Sequence, residues 1–556
     1  MGAAAGLGLL SCTALTVTAG RLARVPGAAP SSSWLGLLGP MRSPMPSATL
    51  AGIEIGAVLL LVLAWWWLLR GARRWPVRRL ELVGLLWAAP LALGPPLLSL
   101  DSYSYLAQGR LAALGIDPYQ HAPSTLGPGV WLRGVDPFWR DAPSPYGPLA
   151  VLLERASTLL GSPAAALVLL HLLALGALVV LALVVRRLAP SAQRGTVLLL
   201  VVVNPLVLLQ LLGAAHWEAL LVALLALALL AWQRDHPAAA LALASTAAAV
   251  KLPAAFAVGV FLVLQVLAAG RSRRLQTAAT GVAAAAAPWL LLSLVVPNAL
   301  GFAGALSTPL TGRTLYAPTT LLAEAMAKAG ALTGGAAHFD STLSLFRGGG
   351  LLLALGVCCV LLVAAGRRPA GTTIGIGLLV VALLGPVLYP WYCTWGLVPL
   401  ALSSPRHRRL IVLLLSAATF TALPGCAQLG LALLAYGPVP AGFGAALLAA
   451  GTWALHRRCA VLRPPSTHEL GVQQDALTFQ AWDARSADPV QEPALRPGAG
   501  SRRGASCTGS DHGDPGSGTA HPPGQGTGAA GQGNAVPFGA GHGPHRGDVL
   551  ARGLER

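Results

Sequence analysis

The chain has 556 residues, 55% of them hydrophobic and 10% charged, with a mean hydropathy of +0.65, whereas an average soluble domain carries about 25% charged residues. That composition excludes a soluble globular enzyme. Lys and Arg number 38 against 20 Asp and Glu, a formal charge of +18, but they fall in short clusters between long apolar runs rather than in a stripe interleaved with aromatics, so a nucleic-acid partner is excluded as well.

A bilayer-crossing helix needs about 20 predominantly apolar residues, because a helix satisfies its own backbone polar groups in lipid. In chain order such stretches fall at 3–20, 48–69 and 80–99, and after a long loop at 163–185, 196–213 and 217–233. The run from Gly2 to Gly20 lacks the basic start of a secretory signal and reads as a span. Residues 237–269 are too long for one helix and are broken at Lys251-Leu252-Pro253, which predicts a hairpin of two short helices with its tip at Lys251. A span at 275–297 precedes a second long loop, 298–347, and spans at 348–366, 371–388 and 391–404 follow. Residues 410–456 carry breaks at Pro424-Gly425 and Gly437-Pro438-Val439-Pro440. The expected fold is an all-α polytopic membrane protein of about 12–14 transmembrane helices, occupying residues 1–462. From Arg463 to 556 the sequence is Gly-, Pro-, Ser- and His-containing, too polar to bury a core, and reads as a disordered cytoplasmic tail.

Charge sets the orientation. Up to Leu462 there are 30 basic and 11 acidic residues, and beyond it 8 and 9. Arg70, Arg73, Arg74, Arg78 and Arg79, then Arg186, Arg187 and Arg194, Arg271, Arg273 and Arg274, Arg367 and Arg368, Arg406, Arg408 and Arg409, and Arg457 and Arg458 all fall on one side. By the positive-inside rule that side is the cytoplasm. Asp101, Asp117, Asp136, Asp141, Glu154, Glu218, Glu324 and Asp340 then lie outside, Asp235 lies inside, and Glu54 and Glu81 sit near helix ends where they can snorkel. The seven cysteines are scattered and form neither a zinc motif nor a disulfide framework.

The first long loop, about 100–162, holds DSYSYLAQGRLAALGIDPYQHAP and VDPFWRDAPSPYGPLAVLLERAS. Asp101 stands where a span gives way, within reach of a lipid headgroup. Its bland reading is an N-cap on a helix from Tyr103 to Leu114; its functional one is a general base, with Tyr103, Tyr105, Gln108 and Arg110 offering the groups that line sugar sites. Asp117-Pro118-Tyr119 and Ser144-Pro145-Tyr146-Gly147-Pro148 read as turns. Together with Asp136-Pro137-Phe138-Trp139-Arg140-Asp141 they describe an ordered, rigid loop. His216-Trp217-Glu218 and Lys251 are functional candidates because they are ionisable this close to hydrocarbon, against the plainer reading of interfacial anchors. Arg313 in the second loop offers a phosphate contact or a loop anchor. Tyr389-Pro390-Trp391-Tyr392 is an aromatic-belt element that can also stack on a sugar or isoprenoid.

No P-loop, dinucleotide or zinc-hydrolase motif stands in a supporting context, and Asp235 alone would hold Mg²⁺ on the cytoplasmic side. An outward-facing enzyme therefore needs a substrate activated by, and delivered in, the membrane. A lipid-linked phosphate donor fits, with one carboxylate as base, Arg or Lys offsetting charge on the departing phosphate, and no cofactor or metal in the scheme.

The motifs DSYSYLAQG, GIDPY, FWRDAPSPYGP, NPL, GAAHWEALLVALLAL, KLP and YPWYCTWG, in that order between apolar spans, resemble the actinobacterial polyprenol-phosphate-mannose-dependent α-1,6-mannosyltransferases over roughly residues 1–455. That resemblance implies a GT-C-like bundle, a polyprenyl-phosphate mannose donor, inversion at the anomeric carbon, and a lipid-anchored α-1,6-mannan acceptor of lipomannan and lipoarabinomannan at the outer face of the plasma membrane. It places Asp101 at the family's acidic first-loop position, as base. Tyr103, Tyr105, Gln108, Asp117, Tyr119, Trp139, Tyr146 and Gly147 fall on loop positions that would shape the donor and acceptor sites. His216 and Glu218 fall on a segment similar to the family's His-Asn-Asp, with Trp217 replacing the amide and Glu218 the shorter acid. A multispan transporter or flippase of a lipid-linked sugar is the alternative, and would carry ionisable groups or broken helices near mid-membrane; a structural membrane scaffold would leave the aromatic outer loops unexplained.

Overall fold

The computed structural model describes residues 1–19, 47–305, 307–308, 312, 314, 317–332 and 339–421, all within one compact unit, Met1–Phe479. The breaks expected after Thr421 and the tail from 463 lie outside the described residues. Among the described residues all regular structure is helical: α1 (Gly2–Ala19), α2 (Ser47–Gly71), α3 (Val77–Leu93), α4 (Asp101–Ala113), α5 (Pro137–Arg140), α6 (Pro148–Thr158), α7 (Pro163–Leu188), α8 (Arg194–Val201), a π-helical turn Val207–Gly213, α9 (Glu218–Gln233), α10 (Pro237–Ala248), α11 (Ala255–Ala268), α12 (Arg274–Ser293), α13 (Phe302–Ala305), α14 (Pro318–Leu332), α15 (Phe339–Val363), α16 (Ala370–Leu384), α17 (Cys393–Ser403) and α18 (Arg408–Thr421).

Helices at Gly52–Gly71, Pro163–Leu188, Arg271–Ser293 and Phe339–Val363 are each long and apolar enough to cross a bilayer. Shorter apolar helices make up much of the rest of the bundle. The expected span 196–213 is divided, because Pro205 cannot donate a backbone hydrogen bond. Asn204 repairs the break from its side chain: Oδ1 accepts from the Val207 amide at 2.9 Å and Nδ2 donates to the Leu200 carbonyl at 2.9 Å. The chain then turns through 110° between the π-helical turn and α9, a broken span placing residues 214–217 in irregular backbone.

The hairpin expected over 237–269 forms, with α10 and α11 joined around Lys251. At 1.5 Å per residue, helices of 12 and 14 residues reach only about 18–21 Å, short of a hydrocarbon layer of about 30 Å. The first long loop packs on this tip: Gly147 N and Leu149 N donate to the Val250 and Ala249 carbonyls, each at 3.0 Å. A Cβ at Gly147 would lie 2.2 Å from the Ala249 oxygen, so this approach requires glycine.

Three Arg-rich turns meet at one end of the bundle. Arg186 pairs with Glu81, Arg408 donates to Gln193, and Gly195 leaves room for the Ala72 carbonyl. Glu81, expected to snorkel, is instead held by Arg186, and Glu54 is fully buried in α2 because neighbouring helices cover that face.

Candidate functional site

Asp101 is the first residue of α4, and the cap position is Leu100, with no side-chain cap bond. The N-cap reading of Asp101 is therefore overturned: the helix starts two residues earlier than expected, so the carboxylate is free of backbone duty. Its Oδ1 accepts a hydrogen bond from Trp139 Nε1 at 3.1 Å. Its Oδ2 lies 3.6 Å from His216 Nε2, beyond hydrogen-bond range, and takes no hydrogen bond from any described residue. The side chain is 13% exposed. Burial drives its pKa up to about 7, Lys251 draws it down in part, and Glu218 and Asp136 push it further up.

Ser99 and His216 bracket this carboxylate. His216 Nε2 is 3.0 Å from Ser99 Oγ, which also accepts the Asp101 amide hydrogen at 3.2 Å. The two segments are clasped by further bonds, from Leu97 N to the Gly213 carbonyl at 2.9 Å and from Ser102 Oγ to the Ala214 carbonyl at 2.7 Å. Leu98 and Ala215, on opposite sides of the clasp, have φ of 57° and 52°. A non-glycine residue in that left-handed region costs about 1–2 kcal/mol, so the clasp holds local strain where Ser99 and His216 meet. On its other side His216 stacks on Trp391, 4.0 Å between ring centres, and Trp391 on Tyr389 at 4.8 Å.

Lys251 was expected as a phosphate contact or a snorkelling side chain. The ammonium does not reach for the surface. It donates to Glu218 Oε1 at 2.7 Å and lies over the rings of Tyr392, Tyr146 and Trp395 at 4.2, 5.0 and 5.3 Å. Glu218, read as a lone acid at a helix end, is thus one half of a buried ion pair. The cage is completed by Tyr105, whose hydroxyl is 3.1 Å from that of Tyr146. Trp217 lies against Tyr105 at 5.8 Å and donates to Glu154 Oε1 at 2.8 Å. Burial pushes the Glu154 carboxyl up to about 8, and that bond lowers it only in part.

Other candidates stand apart from the carboxylate. Asp117 Oδ1 caps the Tyr119 amide at 2.8 Å and Oδ2 accepts from Asn298 at 2.7 Å, so Asp117 closes a turn and ties the two long loops together. Tyr119 packs with Val151 and Phe302, and Tyr103 with Ala107, Val135 and Trp139. Gln108 is fully buried on the same face of α4 as Asp101, seven residues on, and neither its Oε1 nor its Nε2 has a hydrogen-bond partner among the described residues. Arg313 lies outside the described residues. Ser99 escapes a sequence reading, while Glu154 and Trp395 enter it only as an acid of the first long loop and as part of the motif YPWYCTWG, without a role at the site.

Residues 5–269 match the N-terminal domain of the α-(1→6)-mannopyranosyltransferases, and residues 319–455 match the family described as MptB C-terminal domain. A probable α-(1→6)-mannopyranosyltransferase of Mycolicibacterium smegmatis is 32% identical over 66% of this chain and 73% of its own length. The chain belongs to the α-(1→6)-mannopyranosyltransferase family. Similar relatives are an α-(1→6)-mannopyranosyltransferase of Mycobacterium tuberculosis, 31% identical over 58% of this chain and 65% of its own, and α-(1→6)-mannopyranosyltransferase B of Corynebacterium glutamicum, 30% identical over 67% of each. No solved structure matches the chain. Within this mannopyranosyltransferase, the N-terminal region contains Asp101, His216, Glu218 and Lys251, and the C-terminal region contributes Tyr389 and Trp391. At the neighbouring positions 217 and 218 the indole of Trp217 reaches Glu154 and the carboxylate of Glu218 reaches Lys251.

Proposed function

We propose that this protein is an integral-membrane mannosyltransferase that moves mannose from polyprenyl-phosphate mannose to an α-1,6-mannan acceptor, of the lipomannan and lipoarabinomannan type, at the extracytoplasmic face of the plasma membrane. The observation that carries the reading is Asp101: a carboxylate anchored through Oδ1 by Trp139, open at Oδ2, and made more basic by burial. The mannopyranosyltransferase relatives and the apolar helices support the sugar and the membrane setting.

In the proposed reaction Asp101 Oδ2 removes the proton of an acceptor hydroxyl as its oxygen attacks the anomeric carbon. The bond from that carbon to the phosphate oxygen breaks on the opposite face, the electron pair leaves with the lipid phosphate, and the configuration inverts. A base with a pKa near 7 suits this step, because about half of it is ionised at neutral pH while it stays basic enough to take the proton. Lys251 supplies the positive charge nearest the base and lowers the cost of charge on the departing phosphate, while Glu218 holds the ammonium in its aromatic cage. The stack of Tyr389 on Trp391 offers a flat platform beside Asp101 for a sugar ring.

The broken span before α9 and the buried Glu218–Lys251 pair are also features of transporters, so the test must separate transfer from translocation. Purified protein in detergent is given polyprenyl-phosphate mannose and a short α-1,6-mannoside, where translocation has no meaning. We expect transfer by the wild type and none by Asp101→Asn with the fold intact; turnover by Asp101→Asn at the wild-type rate removes Asp101 as the base, and no product with any polyprenyl-phosphate sugar favours the transporter.

A further inference from the structure

We infer that Ser99 is a positioning residue that keeps His216 off Asp101, so that Oδ2 stays unpaired and able to take the acceptor's proton. This rests on the reading of Asp101 as base and extends it to a residue that touches neither reacting atom.

The geometry is specific. His216 Nε2 is nearer to Ser99 Oγ, at 3.0 Å, than to Asp101 Oδ2, at 3.6 Å. Its ring cannot tilt freely, being stacked on Trp391. A shift of about half an ångström along the plane of that stack would bring Nε2 into hydrogen-bond range of Oδ2. The serine hydroxyl removes the reason for that shift by satisfying the imidazole nitrogen, and it is itself fixed by the Asp101 amide. The left-handed Leu98 immediately before it aims the side chain, and the left-handed Ala215 does the same for His216. Strained backbone on both sides of one contact marks a contact the fold holds in place.

The consequences have a definite sign. An imidazole that donates to the carboxylate stabilises its ionised form and makes it a weaker base, and it occupies the oxygen that must receive the proton. The charged neighbours of Asp101 are Asp136 in the first outer loop, Glu218 on α9 and Lys251 at the hairpin tip. The facing phenols of Tyr105, Tyr146 and Tyr389 remain neutral over the working range, since burial raises each of them and the nearby carboxylate adds to that. None of these groups changes when Ser99 is replaced.

The test measures pH–rate profiles of mannosyl transfer by detergent-purified wild type, Ser99→Ala, Ser99→Thr, His216→Phe and Ser99→Ala/His216→Phe, with Asp101→Asn in parallel. Expected for Ser99→Ala is a fall in kcat of about tenfold or more, KM values within about twofold of wild type, and an acid limb moved down by roughly one pH unit. Ser99→Thr, which keeps the hydroxyl, should match wild type. In the double variant, which retains a ring on Trp391 but lacks Nε2, the limb should return to the wild-type position or above. An unmoved limb in Ser99→Ala, a rise in KM as the main effect, or a limb that stays low in the double variant overturns the role of Ser99. Activity in Asp101→Asn with the limb intact instead overturns the assignment of the base.

Discussion

Breaking the buried pair at the hairpin tip gives an asymmetric, testable result. In Lys251→Met the Glu218 carboxylate loses its one ion-pair partner, is fully buried, and has no other hydrogen bond to Oε2 among the described residues. Removing one partner of a buried pair costs about 3–5 kcal/mol, because an uncompensated charge remains or must be neutralised. Glu218→Gln leaves the opposite charge, but that ammonium keeps an amide oxygen within reach and lies over three aromatic rings at 4.2–5.3 Å. Cation–π contacts contribute about 0.5–2 kcal/mol each, and the Lys251 side chain is 11% exposed, so a loss of about 1–3 kcal/mol is expected. The double variant Lys251→Met/Glu218→Gln should be more stable than the sum of the singles by about 2 kcal/mol or more, since neither charge is then stranded. Thermal unfolding of the detergent-purified proteins, with inactivation rates as a second measure, gives the order. Additive losses, or Glu218→Gln as harmful as Lys251→Met, would refute the reasoning.

Three further outcomes follow from the same geometry. Gly147→Ala places a methyl 2.2 Å from the Ala249 oxygen, so the first long loop must lift from the hairpin tip; we expect a stability loss of about 1–3 kcal/mol and strongly reduced transfer, and wild-type behaviour would show that the loop need not lie there. Trp139→Phe keeps an aromatic ring but removes the donor to Asp101 Oδ1; since a bond to the ionised form lowers its pKa, the acid limb of activity should move to higher pH than in wild type, and a downward shift would contradict the assignment. Glu154 has its pKa raised from 4.5 to about 8 in the folded protein; such an acid contributes most to stability below about pH 4.5 and loses that contribution as pH rises towards 8. Melting temperatures of Glu154→Gln should therefore fall less than those of wild type between pH 5 and 8, a window taken from the same pair of values, and parallel curves would rule Glu154 out as a source of the slope.

The all-helical membrane character and the order of most helices are legible in the amino-acid sequence, because long apolar runs and their Arg-rich connections are local properties. The sequence also located the hairpin tip at Lys251, since Pro253 forbids a continuous helix there, and it singled out Asp101 through the scarcity of acids and the family motifs around it. What periodicity leaves open is which polar groups meet. Asp101 looked like a cap and is none, because the backbone turn at Leu98–Leu100 starts the helix at the aspartate itself. Glu218 and Lys251, 33 residues apart, looked like separate interfacial charges; folding α10 beside α9 brings them into one pair. Ser99 carried no signal at all, for its role depends on a left-handed residue before it and on His216, 117 positions away. In a chain this poor in charge each buried ionisable group must find a partner to remain ionised, and only the tertiary structure decides which one it finds.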